Sequence, residues 1–250
     1  MKGVVLAGGT GSRLYPLTRV TNKHLLPVGR YPMIYHPLLR LRRAGVTEIG
    51  LVTSPEHMGD VVNLLGSGSR LGVDLTYRVQ DEPGGIAQAL GLCESFVGNE
   101  PFVVVLGDNI LGQDIRDDVA VFEKQARHGN GARVLLKEVH DPERYGVPEF
   151  DGHRISRVIE KPVNPPSSYS VIGIYFYDPS VFDYIRTLTP SQRGELEISD
   201  VSNRYAEKGQ LTHGVLSSWW GDAGTFEGLE EANRLARDLV YEELPGVANE

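Results

Sequence analysis

The sequence predicts an α/β protein with a mainly parallel sheet covered on both faces. Two observations carry this. Strand-like apolar runs alternate with amphipathic segments of helical length through the first half of the 250 residues. Those runs are near-continuous in Val, Ile and Leu, the pattern of strands with both faces buried. In such a sheet ligands bind beyond the carboxyl ends of the strands, so chemistry is sought there.

Residues 2–7, 48–53, 73–80, 102–106 and 133–139 read as strands. Between them 33–44, 58–65, 86–95 and 115–127 read as helices. The first of these has Pro32 before it and Gly45 after it, the usual start and stop residues. In the second half, 154–159 and 170–177 read as strands and 179–188 as a helix. Ile198, Val201 and Tyr205 form a helical stripe closed by Gly209. Residues 211–219 read as another strand and 226–240 as a final helix. Segments 141–145 and 161–168 are turn-rich loops. The acidic stretch 242–250, with its Pro-Gly pair, is expected to fray. Neither a repeat nor a low-complexity linker interrupts the chain, so 1–250 reads as a single domain.

Composition narrows the function. Hydrophobic residues make up 40% and charged residues 23%, as in ordinary soluble proteins. The net charge of −8 argues against a nucleic-acid partner, since phosphate backbones select basic faces. An acidic protein can still bind phosphates through a few concentrated cations. The apolar run after Lys2 is too short for a signal segment, and nothing reaches the length of a membrane span. Cys93, the single cysteine, lies among Ala89, Leu90 and Leu92 and reads as buried packing; it excludes an internal disulfide. A cytoplasmic protein with no membrane partner is expected.

Three motifs point to phosphate chemistry. Leu6-Ala7-Gly8-Gly9-Thr10-Gly11-Ser12-Arg13-Leu14 follows the first strand, where glycines let backbone N–H groups turn toward an anion. It is neither a Walker A loop nor a dinucleotide fingerprint, because no Gly-Lys-Ser/Thr ends it and Leu14 replaces the last glycine. Read alone it fits a flexible turn as well as an anion cradle; Arg13 tips the balance by adding a planar fork suited to phosphate. Next comes Asn22-Lys23-His24-Leu25-Leu26-Pro27, whose Lys23 alone would be a surface charge. Asp108 closes the buried run 102–106, and Asp222 stands in Trp219-Trp220-Gly221-Asp222-Ala223-Gly224-Thr225. Each aspartate alone is a turn residue, but together they suit Mg²⁺, which takes one or two carboxylates plus phosphates and waters. The seven histidines show no metal-ligand spacing, and no Gly-x-Ser-x-Gly elbow is present.

Gly-Gly-x-Gly-x-Arg followed by Lys-x-Leu-Leu-Pro resembles the signature of the sugar-1-phosphate nucleotidylyltransferases. The likeness continues through Pro32-Met33-Ile34-Tyr35, Leu106-Gly107-Asp108-Asn109 and Asp141-Pro142-Glu143-Arg144-Tyr145-Gly146-Val147. It extends to Glu160-Lys161-Pro162, Gly173-Ile174-Tyr175-Phe176-Tyr177, Arg193-Gly194-Glu195-Leu196-Glu197-Ile198 and Asp222-Ala223-Gly224-Thr225. Within the family it is closest to the glucose-1-phosphate thymidylyltransferases. The resemblance implies a Rossmann-like three-layer α/β sandwich with a mainly parallel mixed sheet and an attached sugar-binding region. The nucleotide-binding part would be about 1–110, the sugar-phosphate part about 111–225, and the C-terminal helix about 226–240.

The implied reaction joins dTTP to glucose 1-phosphate, giving dTDP-glucose and pyrophosphate; UTP or another sugar phosphate is the alternative, and a non-catalytic sensor a further one. Arg13, Lys23 and Lys161 would be catalytic. Leu6, Gly8, Gly9, Thr10, Gly11, Arg13, Lys23, Gln80, Pro83, Gly85 and Asp108 would bind nucleotide. Asn109, Tyr145, Gly146, Glu160, Lys161, Val171, Tyr175 and Arg193 would line the sugar-phosphate pocket. Asp108 and Asp222 would hold Mg²⁺. A homo-oligomer, dimer or tetramer, is implied. Two positions depart from the family pattern: Tyr31 replaces a lysine, and Gly84 replaces an aspartate. Only 28 residues follow Asp222, whereas longer members add helices that help build a second, regulatory nucleotide-sugar site. Product inhibition confined to the active site is therefore expected.

Overall fold

Strand and helix alternate as expected in a computed structural model that describes residues 1–129, 131–242 and 244. Its contacts divide the chain into two compact units, each assembled from separate stretches. The first holds Lys2–Pro83, Val105–Arg116 and the segment beginning at Ser218; the second holds Met1, Gly84–Val104 and Asp117–Ser217. The stretch 84–104, placed with the nucleotide part by the family pattern, thus counts with the second unit.

In chain order the first unit opens with β1 (Lys2–Ala7), the short hairpin β2 (Pro27–Val28) and β3 (Tyr31–Pro32), and α1 (Tyr35–Arg43). β4 (Glu48–Thr53), α2 (Met58–Leu65) and β5 (Asp74–Val79) follow. The chain continues in the second unit through α3 (Ile86–Gly91) and α4 (Glu94–Val97). β6 (Phe102–Leu106) spends three residues in the second unit and two in the first, which then adds β7 (Asn109–Leu111). The second unit is completed by α5 (Arg116–Arg127), β8 (Ala132–Glu138), β9 (Gly146–Asp151), β10 (Arg154–Glu160), β11 (Tyr169–Tyr177), α6 (Val181–Arg186), α7 (Ile198–Glu207) and β12 (Leu211–Val215). β13 (Trp220–Asp222) and α8 (Phe226–Leu235) return to the first.

The first unit carries the parallel sheet. β1 pairs with β4 from Gly3↔Ile49 to Ala7↔Thr53, and β4 with β5 from Glu48↔Asp74 to Thr53↔Val79. Val4, Val5, Ile49, Leu51 and Val52 are all fully buried, as strands covered on both faces require. β7 and β13 form a separate antiparallel ribbon in which Asn109 faces Asp222. Val28, Met33, Ile110, Ala223, Ala232 and Ala236 close an apolar cluster around that ribbon and α8, fixing the height at which Asp222 emerges.

In the second unit the pairing is antiparallel, except that β12 runs parallel to β8. β9 meets β11 through Gly146↔Val171, and α7 carries Asn203, whose carboxamide clips the backbone of Val158 in β10.

Most boundaries agree with the sequence reading within two residues. The expected helix 86–95 breaks into α3 and α4, with Gly91 at the break, where glycine disfavours continuation. The expected strand 211–219 stops at Val215, and the expected helix 226–240 stops at Leu235. β2, β3, β7 and β13 are too short for periodicity to reveal, and Pro148 obscured β9. Cys93 is buried, as expected. Most of 242–250 lies outside the described residues.

Tyr31, which stands where the family pattern has lysine, is buried in an aromatic corner. Its hydroxyl accepts the Tyr241 N–H at 3.1 Å, and its ring meets Tyr241 and His36 edge-on. His36 Nε2–H donates to the Val28 carbonyl at 3.0 Å, so Nδ1 accepts from the Tyr241 hydroxyl at 2.8 Å. Desolvation pushes the His36 imidazole down to about 4, with the Arg40 charge adding and the Val28 hydrogen bond opposing. An unfolded histidine titrates near 6.5, so between those limits the unfolded chain binds the extra proton. Stability from neutral His36 is therefore present above pH 6.5 and lost as pH falls toward 4. Each pH unit in that window removes about 1.4 kcal/mol. Urea melts at pH 6.5 and 5.0 should show wild type losing about 2 kcal/mol more than His36→Gln; equal losses would contradict this account.

Candidate active site

In the first unit, the loop after β1 turns on Gly11, whose φ of +66° lies in the left-handed region that favours glycine. Leu14 N–H and Thr18 Oγ1 both donate to the Gly11 carbonyl at 2.9 Å, closing the turn, while Leu14 is fully buried as its anchor. Gly107 N–H donates to the Leu6 carbonyl at 2.9 Å, which ties the loop's root to the end of β6. The packing around Gly8 shows why it carries no side chain, and that around Gly9 shows where Lys23 lies. A Cβ on Gly8 would run into Gln80 Oε1, whereas one on Gly9 would lie in ordinary contact 3.8 Å from Lys23 Nζ. Gln80, Lys23 and the loop therefore occupy one place.

Lys23 reaches Asp108, with Nζ 2.6 Å from Oδ2 and both side chains only 11% exposed. The other carboxylate oxygen accepts from Asn109 Nδ2 at 3.0 Å. Burial acts to raise the Asp108 carboxyl, but Lys23, His24 and the two hydrogen bonds hold it below the usual carboxylate range. Asn22 braces this segment: its Oδ1 accepts the His24 N–H at 2.9 Å and lies 2.7 Å from His24 Nδ1. His24 is itself held down to about 3 by burial and by Lys23, and stays neutral.

Asp222 enters from β13. Its Oδ1 accepts the Gly224 N–H at 3.0 Å, and Ala223 N–H donates to the Asp108 carbonyl at 2.9 Å. Burial and the neighbouring Asp108 charge raise its carboxyl, against Lys23, the Gly224 N–H and Arg13. One point marks the centre of the cluster. A Cβ on Gly224 would sit 3.0 Å from Asp222 Oδ1, 3.1 Å from Asp108 Oδ2 and 3.2 Å from Arg13 Nη2. Two carboxylates and a guanidinium thus converge on a cradle that a single methyl would fill.

The second unit assembles a second cluster. Lys161 has φ +43°, a left-handed conformation for a non-glycine residue that costs of the order of 1–3 kcal/mol. Its N–H donates to the Tyr145 carbonyl at 2.9 Å, and its Nζ lies 3.8 Å from Glu160 Oε1. Ser199 Oγ donates to Glu160 Oε2 at 3.0 Å. Arg193 reaches Glu195 at 2.8 Å and Glu197 at 3.0 Å, with Glu160 3.9 Å away. Burial, then Glu197, raises the Glu160 carboxyl, while Lys161, Ser199 and Arg193 oppose. A Cβ on Gly146 would lie 3.6 Å from Glu160 Oε2 and 3.9 Å from Val171 Cβ. Tyr175 is buried and stacks on Tyr177, with ring centroids 6.2 Å apart. Gly85, at φ +98°, packs against the Leu196 backbone, where a Cβ would lie 2.7 Å from the carbonyl oxygen.

The structure therefore brings Leu6, Gly8, Gly9, Thr10, Gly11, Arg13, Lys23, Gln80, Asp108, Asn109 and Asp222 into the first unit, where Pro83 is the last residue of its stretch. It brings Gly85, Tyr145, Gly146, Glu160, Lys161, Val171, Tyr175 and Arg193 into the second. Asn109, grouped with the sugar-phosphate residues by resemblance, touches Asp108 and Trp220. The clusters also contain His24, Asn22, Trp220, Gly224, Glu197 and Ser199, which residue type alone did not single out. Among the described residues no third carboxylate, histidine or cysteine joins Asp108 and Asp222 as a metal-ligating group.

A family model described as nucleotidyl transferase matches residues 2–238. The chain belongs to the nucleotidyl transferase family. Relatives named glucose-1-phosphate thymidylyltransferase support the same reading. The one from Neisseria meningitidis is 45% identical, over 93% of this chain and 81% of its own. The one from Mycolicibacterium smegmatis is 42% identical, over 96% and 83%. A solved structure from Bacillus anthracis, described as a candidate glucose-1-phosphate thymidylyltransferase in complex with a sucrose, is 58% identical. It superposes with a TM-score of 0.93 over 98% of this chain and 99% of that one. A UDP-glucose pyrophosphorylase complexed with UDP-glucose is 25% identical, with a TM-score of 0.82 over 93% and 97%. The fold is thus the Rossmann-like α/β type, and this nucleotidyl transferase is an enzyme. Nucleotidyltransferases of this kind generally use a divalent metal. Among the described residues no helix is long and apolar enough to cross a membrane.

Proposed function

We propose that this nucleotidyl transferase moves a thymidylyl group from dTTP to glucose 1-phosphate, forming dTDP-glucose and pyrophosphate with Mg²⁺ bound. The observation that carries the reading is the convergence of Asp108, Asp222 and Arg13 on the Gly224 cradle, with Lys23 against Asp108. The donor set fits Mg²⁺: two buried carboxylates are hard oxygen ligands, and phosphates and water complete its shell. Burial first, and then the Asp108 charge, raises the Asp222 carboxyl, and a divalent ion would offset that charge. When bound, Mg²⁺ would offset phosphate charge and orient the triphosphate for in-line displacement.

The protein's own groups do the rest. An oxygen of the sugar phosphate bonds to the α-phosphorus, and the bond to the β-phosphate oxygen breaks with its electron pair. The nucleophile is already anionic, so no general base is needed. The task is to align two anions and cancel their repulsion. Arg13 holds the leaving phosphates, the Gly8–Gly11 N–H groups and Lys23 the nucleotide phosphates, and Lys161 with Arg193 the sugar phosphate. Glu160 accepts from a sugar hydroxyl. Gln80, against Gly8, reads the base through its carboxamide. The strained Lys161 backbone supports its role, since such conformations gather where positioning matters. Retention of Arg13, Lys23 and both aspartates favours an enzyme over a sensor, and a homo-oligomer remains part of the proposal.

Thymine and uracil differ by one methyl, which discriminates about 10–200-fold in an apolar pocket. Pyrophosphate release over a grid of nucleotides and sugar phosphates should rank dTTP first, UTP measurably second and purines near background. Preference for ATP or GTP would refute the base assignment.

A further inference from the structure

The ribbon of β7 and β13 holds more than the aspartates. Trp220 Nε1–H donates to Asn109 Oδ1 at 2.7 Å, and Asn109 Nδ2 donates to Asp108 Oδ1 at 3.0 Å. The indole nitrogen is a donor only, so it fixes which end of the carboxamide faces it, and the amide end must face Asp108. Asn109 pairs directly across from Asp222, and Trp220 lies two residues before Asp222 on the same strand face. One ribbon face thus carries Asp222, Asn109 and the indole that orients it.

We propose that Trp220 is a positioning residue for cation binding: through Asn109 it locks the Asp108 carboxylate in the orientation that meets the cation. The inference rests on Asp108 being a metal ligand, as proposed above. Outer hydrogen-bond partners of this kind hold a ligand's rotamer, and their loss typically weakens metal affinity 10–100-fold. Trp220→Phe keeps an aromatic ring, though a smaller one, and removes the donor. Asn109→Leu keeps the shape and removes both hydrogen bonds.

The test counts free Mn²⁺ by electron paramagnetic resonance in nucleotide-free protein, alongside thermal melting. Trp220→Phe should bind Mn²⁺ about 10-fold more weakly with melting within a few degrees of wild type. Asn109→Leu should do the same, and the double variant should be no weaker than Asn109→Leu alone, because the two bonds act in series. Should Trp220→Phe fail to fold, Asn109→Leu carries the test. Asp108→Asn separates the two readings: wild-type Mn²⁺ affinity there would sink the metal assignment itself. If Asp108→Asn loses Mn²⁺ but Trp220→Phe binds it as wild type does, the relay is overturned. It is equally overturned if Trp220→Phe only raises KM for glucose 1-phosphate.

Discussion

Gly224→Ala is expected to lower kcat by about 100-fold or more, in line with the roughly 10²–10³ lost when one preorganised electrostatic group is misplaced. The added methyl would lie 3.0–3.2 Å from Asp222 Oδ1, Asp108 Oδ2 and Arg13 Nη2 at once. Each must give by a few tenths of an ångström, and all three are charged groups aimed at the same space. The backbone does not complicate the test, because Gly224 is not among the residues with positive φ, so alanine meets no conformational penalty there. Melting should change little while turnover and Mn²⁺ affinity fall together. Wild-type turnover in this variant would show that the three groups do not act at one point.

The second large effect is expected from Lys23→Met. Removing one partner of a buried ion pair leaves an uncompensated charge, which costs about 3–5 kcal/mol. Here the abandoned group is Asp108, 11% exposed and beside a second carboxylate. The metal-free variant should therefore be less stable by that order, and millimolar Mg²⁺ should restore much of the loss by supplying the missing charge. Turnover should stay low even with the ion, since the phosphates would still lack Lys23. Adding Asp108→Asn to Lys23→Met should recover stability without Mg²⁺, a coupling that a double-mutant cycle reads directly. Denaturant melts with and without Mg²⁺ provide the check. A variant as stable as wild type in metal-free buffer would mean that Lys23 is not the counter-charge of Asp108.

Legibility from sequence followed the range of the interactions. β1, β4 and β6 match their expected bounds because unbroken runs such as Val-Val-Leu-Ala and Phe-Val-Val-Val-Leu admit one reading. The glycine loop, Arg13 and Lys23 were legible because their spacing is local. What escaped depends on residues far apart in the chain. Lys23 meets Asp108 across 85 positions, and Asn109 meets Trp220 across 111. Only the short ribbon of β7 and β13, invisible to periodicity, makes the second contact possible. Gly224 belongs to a matching stretch and has no role of its own until the structure sets Asp108, Asp222 and Arg13 around it. Glu197 and Ser199 carry no signal of their own in the sequence, yet they partner Arg193 and Glu160. Nor did chain order reveal that 84–104 folds with 117–217.

The central claim is that a sugar-phosphate oxygen attacks the α-phosphorus and pyrophosphate departs. ³¹P NMR of one reaction tests it most directly, using dTTP, Mg²⁺ and glucose 1-phosphate labelled with ¹⁸O in its phosphate. The account predicts equal amounts of dTDP-glucose and pyrophosphate, with the label kept on the sugar-side phosphorus of dTDP-glucose, including the oxygen bridging to the thymidylyl phosphorus, and none in pyrophosphate. Label in pyrophosphate, or release of pyrophosphate without a nucleotide sugar, would contradict it.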